Sequence, residues 1–145
     1  MEVRNTCLGN TLQYKVKSSI VSGKWKNELG SVVELMENEN GQITGTYLTA
    51  VKSSSKESSY TKETADLVGY INTDKTKQTT TIVFCMAWKI EGSCSAFTGQ
   101  IFQDDKDGGI GDVMKTTWIL HSPVDGLHDN WEATCVGENT FYRCP

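Results

Sequence analysis

The amino-acid sequence predicts an all-β fold, an eight-stranded antiparallel up-and-down β-barrel. Short segments with alternating apolar side chains follow one another, and turn-forming residues separate them. No helical apolar pattern longer than two turns interrupts this series. Strands linked by hairpins are typical of antiparallel β domains, and closing the sheet into a barrel removes its exposed edges. The length of 145 residues fits one such domain.

The predicted strands can be placed one after another between turn signals. They cover residues 22–27, 31–37, 42–51, 65–71, 79–90, 95–103, 113–122 and 131–142. Asn40-Gly41 is a hairpin signal before the third strand, and the Ser/Lys/Glu-rich segment 52–64 predicts a long loop before the fourth. Residues 104–109, rich in Asp and Gly, predict a turn. Residues 1–21 show no clear period, so we expect an N-terminal extension followed by a barrel domain at 22–145.

Charge and composition exclude several classes of partner. The formal net charge is −4 and Lys and Arg do not cluster, which argues against nucleic acid or an anionic membrane as a partner. No apolar run approaches the roughly 20 residues of a membrane-spanning helix. The first five residues lack the apolar core of a signal peptide, so a secreted form would carry a signal that this sequence does not include.

The five cysteines are an odd number, so at least one of them is free or pairs between chains. They lie at positions 7, 85, 94, 135 and 144. In a closed antiparallel barrel the first strand starts beside the end of the last, and we therefore expect a Cys7–Cys144 disulfide. The alternative is that all five are reduced and buried as small apolar groups. No His/Cys grouping has zinc-ligand spacing, so no metal site is expected.

Strand alternation turns an unusual set of polar side chains toward the interior. Alternate residues of a strand share a face. One face of the first strand and turn carries Trp25, Asn27, Leu29 and Ser31, and one face of the third strand carries Tyr47, Thr49 and Val51. Buried hydroxyl and amide groups need hydrogen-bond partners. Those partners are either neighbouring side chains or a polar ligand.

The later strands add an apolar and aromatic lining on the same inner surface. The side chains predicted to point inward there include Ile82, Phe84, Met86, Trp88, Ile90, Ser93, Ser95, Phe97, Met114, Thr116, Trp118, Leu120, Asn139 and Phe141. One end of the interior is thus aliphatic and aromatic, and the other end mixes aromatic with polar groups. An eight-stranded barrel has room for one small ligand at its mouth.

Several motifs, taken in order, resemble the avidin/streptavidin family. They are Gly-Lys-Trp-x-Asn-x-Leu-Gly-Ser at 23–31, Gly-Thr-Tyr-x-Thr-Ala-Val at 45–51, Trp88-Lys89, Phe-Thr-Gly-Gln at 97–100, Trp-Ile-Leu at 118–120 and Trp-x-Ala-Thr-x-Val-Gly-x-Asn at 131–139. Together they cover residues from about 22 to 143. Streptavidin is itself a standard example of this barrel, so the predicted closure rests on the resemblance as well as on the hairpin pattern.

The resemblance implies biotin as the ligand, bound without catalysis and without a cofactor. The ureido oxygen would accept hydrogen bonds from Asn27, Ser31 and Tyr47, and the two ureido N–H groups would donate to Thr49 and Asn139. Three donors on one oxygen polarise the urea, and hydrogen bonds in a dry site strengthen one another. The alternative is that these polar groups bond only each other.

The resemblance also implies roles for the rest of the pocket. Trp88, Phe97 and Trp118 would wall the rings, Ser95 would face the ring sulfur, and Ser93 with Ser53 and Ser54 would receive the valerate carboxylate; Leu29, Val51, Ile90 and Leu120 complete the predicted set. Plain core packing is the alternative for the aromatic residues.

Three differences from the avidin pattern predict tight binding that stays short of the family's extreme. Ile90 and Glu91 stand where that pattern has Phe and Ser, which removes an aromatic wall and adds a negative charge near the expected carboxylate. The loop from 52 to 64 is also longer than in avidin, so closing it costs more ordering entropy.

Assembly into a homo-oligomer is a further implication of the resemblance. In the family the Trp equivalent to Trp131 caps the pocket of a neighbouring subunit, which implies at least a dimer and, as the family is usually tetrameric, a tetramer. The alternative is that Trp131 closes its own barrel. Glu138 faces outward where avidin is apolar and would meet its own copy across a two-fold axis. We therefore expect a tetramer that splits readily, or a dimer.

Two other functions are alternatives to biotin binding. An enzyme is not expected, because His121 and His128 have no Ser or Cys at motif spacing and the Asp/Gly run lacks the ligand spacing of a calcium loop. The other alternative is an avidin-like structural or oligomerisation module with weak or no biotin binding. Secretion, and sequestration of the vitamin, are what the resemblance suggests for the biological role.

Overall fold

The eight predicted strands form in a computed structural model, which describes residues 19–50, 63–103 and 111–145. The strands are β1 (Gly23–Asn27), β2 (Val32–Glu37), β3 (Gln42–Leu48), β4 (Thr64–Asp74), β5 (Thr79–Trp88), β6 (Ser93–Phe102), β7 (Val113–His121) and β8 (Thr134–Arg143). A 3-10 helix, Leu127–Glu132, precedes β8. Most of the predicted N-terminal extension, with Cys7, lies outside the described residues, as does nearly all of the predicted loop 52–64.

Each strand pairs antiparallel with the next, and β1 pairs with β8 to close the barrel. This confirms the predicted up-and-down barrel. The β1–β2, β3–β4, β5–β6 and β7–β8 connections therefore lie at one end of the barrel, which we call the mouth. The opposite end, where the chain enters β1 and leaves β8, we call the closed end.

Period-two burial explains why the strands form where they do. In β5, Ile82, Phe84 and Met86 are buried while Val83 and Cys85 between them are exposed. Burying a large apolar side chain of this kind contributes about 1.5–3 kcal/mol relative to leaving it in water. Apolar residues at alternate positions of the sequence therefore face the interior of the barrel, and the residues between them face solvent.

The core is a cluster of aromatic rings midway along the barrel. Phe84 stacks on Phe97 with ring centroids 4.9 Å apart. Tyr47 lies 5.6 Å from Phe97 and meets Phe141 edge-on at 6.3 Å. Offset and edge-on aromatic pairs are favourable beyond their area of burial. This cluster forms the floor beneath the mouth.

The closed end is held by Arg143 at the end of β8. Its guanidinium lies 4.3 Å from the centre of the Trp25 ring and pairs with Asp112 at 2.9 Å. It also donates to the backbone carbonyls of Ser22, at 2.7 Å, and Ile20. A planar, always-charged guanidinium suits this combination of stacking and hydrogen bonding. The chain leading into β1 is thereby fixed to the end of β8.

The seam between β1 and β8 is a short ladder. It runs from Trp25 opposite Arg143 to Asn27 opposite Phe141. The β7–β8 ladder, by contrast, runs from Val113 to His121 along most of both strands. The barrel is therefore closed by its shortest run of backbone hydrogen bonds, and side chains supplement it at both ends of the seam.

Several strand boundaries differ from the sequence prediction because a turn or a 3-10 helix occupies residues that were predicted to belong to a strand. β5 ends at Trp88 rather than at 90, since Gly92 adopts a φ of 71° and its N–H donates to the Trp88 carbonyl. β8 starts at Thr134 rather than at 131, because residues 127–132 form the 3-10 helix. The predicted turn at Asn40-Gly41 is confirmed, and Gly41 has a φ of 74° there.

Within the described ranges the cysteines form no disulfide. Cys85, Cys94 and Cys135 are free and exposed, so the alternative that all five cysteines are buried is wrong for these three. They lie on strands at positions where the side chain meets solvent. Cys144 is also free, and its predicted partner Cys7 lies outside the described residues.

Candidate ligand-binding site

The polar residues singled out in the sequence meet at the mouth of the barrel. Asn27 ends β1, Ser31 precedes β2, Tyr47 lies near the end of β3 and Asn139 lies on β8, beside the β1–β8 seam. All four are buried, as are Ser93 and Ser95 on β6. The sequence therefore predicted correctly that these hydrophilic groups share the inner surface of one barrel end.

The two polar atoms of the Asn27 amide have different roles. Its Oδ1 accepts from the backbone N–H groups of Leu29, at 3.1 Å, and Ser31, at 2.8 Å, and so closes the β1–β2 turn. Its Nδ2 is buried and finds no hydrogen-bond partner among the described residues. An unpaired buried amide donor costs roughly 1–3 kcal/mol. Asn27 thus presents an unsatisfied donor at the mouth.

Ser31 and Tyr47 lie beside this donor as hydroxyl groups. The Oγ of Ser31 accepts from the backbone N–H of Ala50 at 3.0 Å, and its side chain also hydrogen-bonds that of Tyr47. Burial raises the pKa of Tyr47; the bond with Ser31 opposes that rise and the Glu28 carboxylate adds to it. The phenol therefore keeps its proton at neutral pH and remains a donor.

The amide of Asn139 has the opposite polarity to that of Asn27. Its Nδ2 donates to Oε1 of Glu28 at 3.1 Å, which leaves the carbonyl Oδ1 on the other side of the amide. Its backbone carbonyl accepts from the Thr116 hydroxyl at 3.0 Å, so the strand itself is held in place. The two asparagines therefore present an N–H₂ group and a carbonyl at the same barrel end.

Aromatic side chains surround these polar groups. The indole of Trp88 meets Tyr47 edge-on with centroids 5.5 Å apart, and its Nε1 donates to Oγ of Ser95 at 2.8 Å. Trp118 packs directly over Gly137, where a Cβ atom would overlap the indole ring. The Nε1 of Trp118 is a second buried donor that lacks a partner in the part of the chain that the structure describes.

Three predicted pocket residues are strongly exposed. Leu29, Ile90 and Trp131 are 59%, 70% and 82% exposed, respectively. The expectation that Leu29 and Ile90 face inward is wrong, because both lie in turns where strand alternation has ended. Trp131 lies in the 3-10 helix instead of the predicted strand, and an indole this exposed does not close its own barrel.

The remaining predicted residues divide into two groups. Thr49 and Leu120 are partly buried at the mouth, and Phe97 is buried beneath it. Val51, Ser53 and Ser54 lie outside the described residues, so their predicted contacts with the ligand stay predictions.

Sequence reasoning did not identify Glu28 or Arg143. Glu28 accepts from both Asn139 and Thr140, more than a hundred residues away in the chain, and Arg143 closes the opposite end. Neither residue belongs to a periodic pattern, because a single charge next to a turn resembles any solvated residue. Only the position of each residue opposite its partner across the β1–β8 seam reveals its role.

Among the described residues, no group of three or more His, Cys, Asp or Glu side chains could hold a metal ion. No helix among them has the length and hydrophobicity needed to span a membrane. His121 is exposed, and its Nδ1 lies 3.1 Å from Oγ1 of Thr134.

Comparison with known proteins is consistent with this geometry. Residues 15–144 match the family model described as Avidin family. The chain is 42% identical over 124 residues to Avidin from Gallus gallus, which covers 85% of this chain and 77% of that protein. It is 38% identical over 124 residues to Avidin-related protein 1 from Gallus gallus, with the same two coverages of 85% and 77%.

Solved structures show the same relationship. The crystal structure of Xenavidin aligns with a TM-score of 0.71 and 34% identity, covering 86% of this chain and 97% of that one. The X-ray structure of a biotin binding protein from chicken aligns with a TM-score of 0.71 and 31% identity, covering 86% and 95%.

Proposed function

Because this chain belongs to the avidin family, as its motifs indicated, we propose that it binds biotin without catalysis in the mouth of its barrel. The ureido oxygen accepts from Asn27, Ser31 and Tyr47, and the ureido N–H groups donate to Thr49 and Asn139. Trp88, Phe97 and Trp118 flank the rings. No cofactor takes part in this binding.

The observation that carries the proposal is the buried, unpaired Nδ2 of Asn27. A protein gains little by desolvating an amide donor that it leaves without a partner. A urea carbonyl supplies that partner, and the reversed amide of Asn139 supplies an acceptor for an N–H of the same urea. Donor and acceptor at one barrel end thus match the two faces of one functional group.

Calorimetric titration with biotin tests the proposal, together with the thermal unfolding temperature with and without biotin. We expect one site per chain and a large rise in unfolding temperature. Desthiobiotin, which lacks the ring sulfur, should bind more weakly if Ser95 faces that sulfur. A biotin carboxamide should bind more weakly if Ser93, Ser53 and Ser54 receive the carboxylate. No heat and no thermal shift with biotin would contradict the proposal.

We expect an affinity below the extreme known for biotin–streptavidin. Ile90 is exposed and provides no wall in the isolated subunit, and Glu91 adds a negative charge in the adjoining turn. The family resemblance also favours a secreted protein that sequesters the vitamin and carries a Cys7–Cys144 disulfide. Mass mapping of the natural protein under non-reducing conditions tests that pairing, and free thiols at both positions would contradict it.

A homo-oligomer is part of the same proposal. Trp131 and Val136 are exposed apolar side chains on the surface of the isolated subunit, and a shallow groove of about 680 Å³ on the outer face of β5–β8 includes Thr117 and Glu138. Glu138 stands opposite Thr117 in the β7–β8 ladder. Sedimentation across concentration should show a tetramer that dissociates, or a dimer, and Glu138→Val should shift the equilibrium toward the larger species. An indivisible tetramer at every pH would contradict the weakening role of Glu138.

The second candidate function is an avidin-like structural or oligomerisation module. The exposed Trp131 and the outer groove are compatible with assembly whether or not the mouth is used. This candidate predicts a stable oligomer that shows no thermal shift with biotin, so the titration above separates the two. Turnover of a biotin ester would instead favour an enzyme.

A further inference from the structure

Glu28 occupies the point where β1 leaves the barrel seam. The β1–β8 ladder ends with Asn27 opposite Phe141, and the chain then turns toward β2. At the next position along β8, the Thr140 N–H donates to Oε2 of Glu28 at 2.9 Å. The carboxylate therefore takes the place of a backbone carbonyl that β1 no longer provides.

The second carboxylate oxygen of Glu28 accepts from the side chain of Asn139, the residue before Thr140 on β8. Asn139 Nδ2 donates to Oε1 at 3.1 Å. An ionised carboxylate is only an acceptor, whereas an amide has a donor side and an acceptor side of nearly equal size. The carboxylate can pair only with the N–H₂ side, so it determines which way the Asn139 amide points.

We propose that Glu28 is a positioning residue for ligand binding, which holds the Asn139 amide with its carbonyl toward the ureido N–H of the ligand. This inference rests on the proposed function. Without Glu28 the amide could present its N–H₂ group to the ligand, and two donors would then face each other. Glu28 thus acts through Asn139 and has no ligand contact of its own in this proposal.

The charges around Glu28 favour the ionised form that this role needs. Burial of the carboxyl raises its pKa, but the hydrogen bonds from its own backbone, Asn139 and Thr140, together with the charge of Lys115, outweigh burial and lower the pKa below its usual range. Lys115 itself donates to Oγ1 of Thr140 at 2.9 Å. Tyr47 on β3 also senses the carboxylate, which contributes to the raised pKa of its phenol.

A double-mutant cycle of Glu28→Gln and Asn139→Ala tests the inference. Glutamine has nearly the same shape, but its amide places a donor against one of the two N–H groups. We expect Glu28→Gln to weaken biotin binding by about 10- to 100-fold. This is the range expected when the hydrogen bond between the buried Asn139 carbonyl and the ligand is lost. If Glu28 acts through Asn139, the double variant should bind no more weakly than Asn139→Ala alone.

Asp74→Asn is the matched control. The carboxylate of Asp74 also accepts two backbone N–H groups, from Thr76 at 2.9 Å and Lys77 at 3.1 Å, but at the closed end of the barrel. This variant removes one negative charge without touching Asn139, so its affinity for biotin should equal that of the unsubstituted protein. A loss in Asp74→Asn equal to that in Glu28→Gln would assign the effect to net charge and overturn the inference.

If Glu28→Gln does not fold, the pH dependence of binding gives an independent test. A biotin carboxamide serves as ligand, because it carries no carboxylate that titrates. Its affinity for the unsubstituted protein should fall on acidification below the usual range of a glutamate, while its weaker affinity for Asn139→Ala should not show this fall. Parallel pH profiles would overturn the inference.

These outcomes separate the inference from the proposed function. Additive effects in the cycle, in a protein that binds biotin, overturn the role of Glu28 and leave biotin binding intact. Absence of biotin binding by the unsubstituted protein overturns both.

Discussion

The two ends of this barrel use polar groups in opposite ways. At the closed end, the Trp25 indole donates to the Val21 carbonyl at 2.9 Å, and Arg143 joins Asp112 and two backbone carbonyls. At the mouth, two buried donors, Nδ2 of Asn27 and Nε1 of Trp118, meet no acceptor among the residues described here. The same strands carry both arrangements.

This difference indicates that the polar groups of the closed end stabilise the fold, whereas those of the mouth are available for binding. At the closed end, the Trp25 indole and the Arg143 guanidinium donate to groups of the protein itself and thereby join the chain ends to the barrel. Unsaturated donors at the mouth lower stability in the empty protein, because each is desolvated without compensation. The comparison therefore predicts that substitutions at the closed end act on folding and substitutions at the mouth act on binding.

The largest expected effect is that of Trp25→Ala on stability. Trp25 is fully buried, so its truncation should lower the free energy of unfolding by about 3–5 kcal/mol. Biotin affinity per folded molecule should change little. Denaturant unfolding and titration of the folded fraction measure the two quantities. If Trp25→Ala lost affinity for biotin but kept its stability, the prediction that the closed end acts on folding and the mouth on binding would be wrong.

Tyr47→Phe should show the reverse behaviour at the mouth. The ring, which contacts Trp88, Phe97 and Phe141, is retained, and only the hydroxyl is removed. Biotin binding should weaken by about 10- to 100-fold, because one donor to a polarised oxygen is lost. Thermal unfolding of the empty protein should stay close to that of the unsubstituted chain. Equal affinity in the two proteins would remove Tyr47 from the proposed site.

Acid should lower the free energy of unfolding by protonating Glu28 at the mouth. The pKa of Glu28 is lower in the folded protein than the ordinary pKa of a glutamate, so its contribution to stability is present above that ordinary value and is lost as the pH falls through the folded pKa. Glu28→Gln should flatten this part of the stability–pH curve. The effect is small because the carboxylate is mostly exposed. Urea unfolding of both proteins between neutral pH and pH about 3 measures it; identical curves would contradict the prediction.

The smallest expected effect is that of Glu91→Ser on affinity. Glu91 is exposed in the β5–β6 turn at the mouth, where water screens its repulsion of a carboxylate. The variant should bind biotin at most a few-fold more tightly, and the gain should shrink as salt is added. Calorimetry at two ionic strengths measures the change. Weaker binding would show that the Glu91 charge does not oppose the ligand.

The fold could be predicted because its signals are local and repeated. Alternation along β5, the hairpin at Gly41 and the order of the motifs each gave information within a few residues, and the structure agrees with them. The inward placement of Asn27 and Asn139 followed from the same alternation. The alternation predicts which side chains face inward only for residues that lie within a strand.

The errors and omissions lie where alternation stops. Leu29 and Ile90 were predicted to face inward but belong to turns, and Trp131 belongs to a 3-10 helix. Glu28 and Arg143 act on partners at the other end of the chain. Contacts across the β1–β8 seam depend on the register of closure, and no local pattern encodes that register.

The short ladder between β1 and β8 has a consequence for kinetics. The proposed ligand bonds Asn27 on one side of this seam and Asn139 on the other, so an occupied pocket acts as a clasp between the first and last strands. Opening of the barrel along this line would then have to wait for the guest to leave. Amide protons of Lys26 and Tyr142, which face each other across the ladder, should exchange with solvent far more slowly in the complex, at a rate set by ligand release.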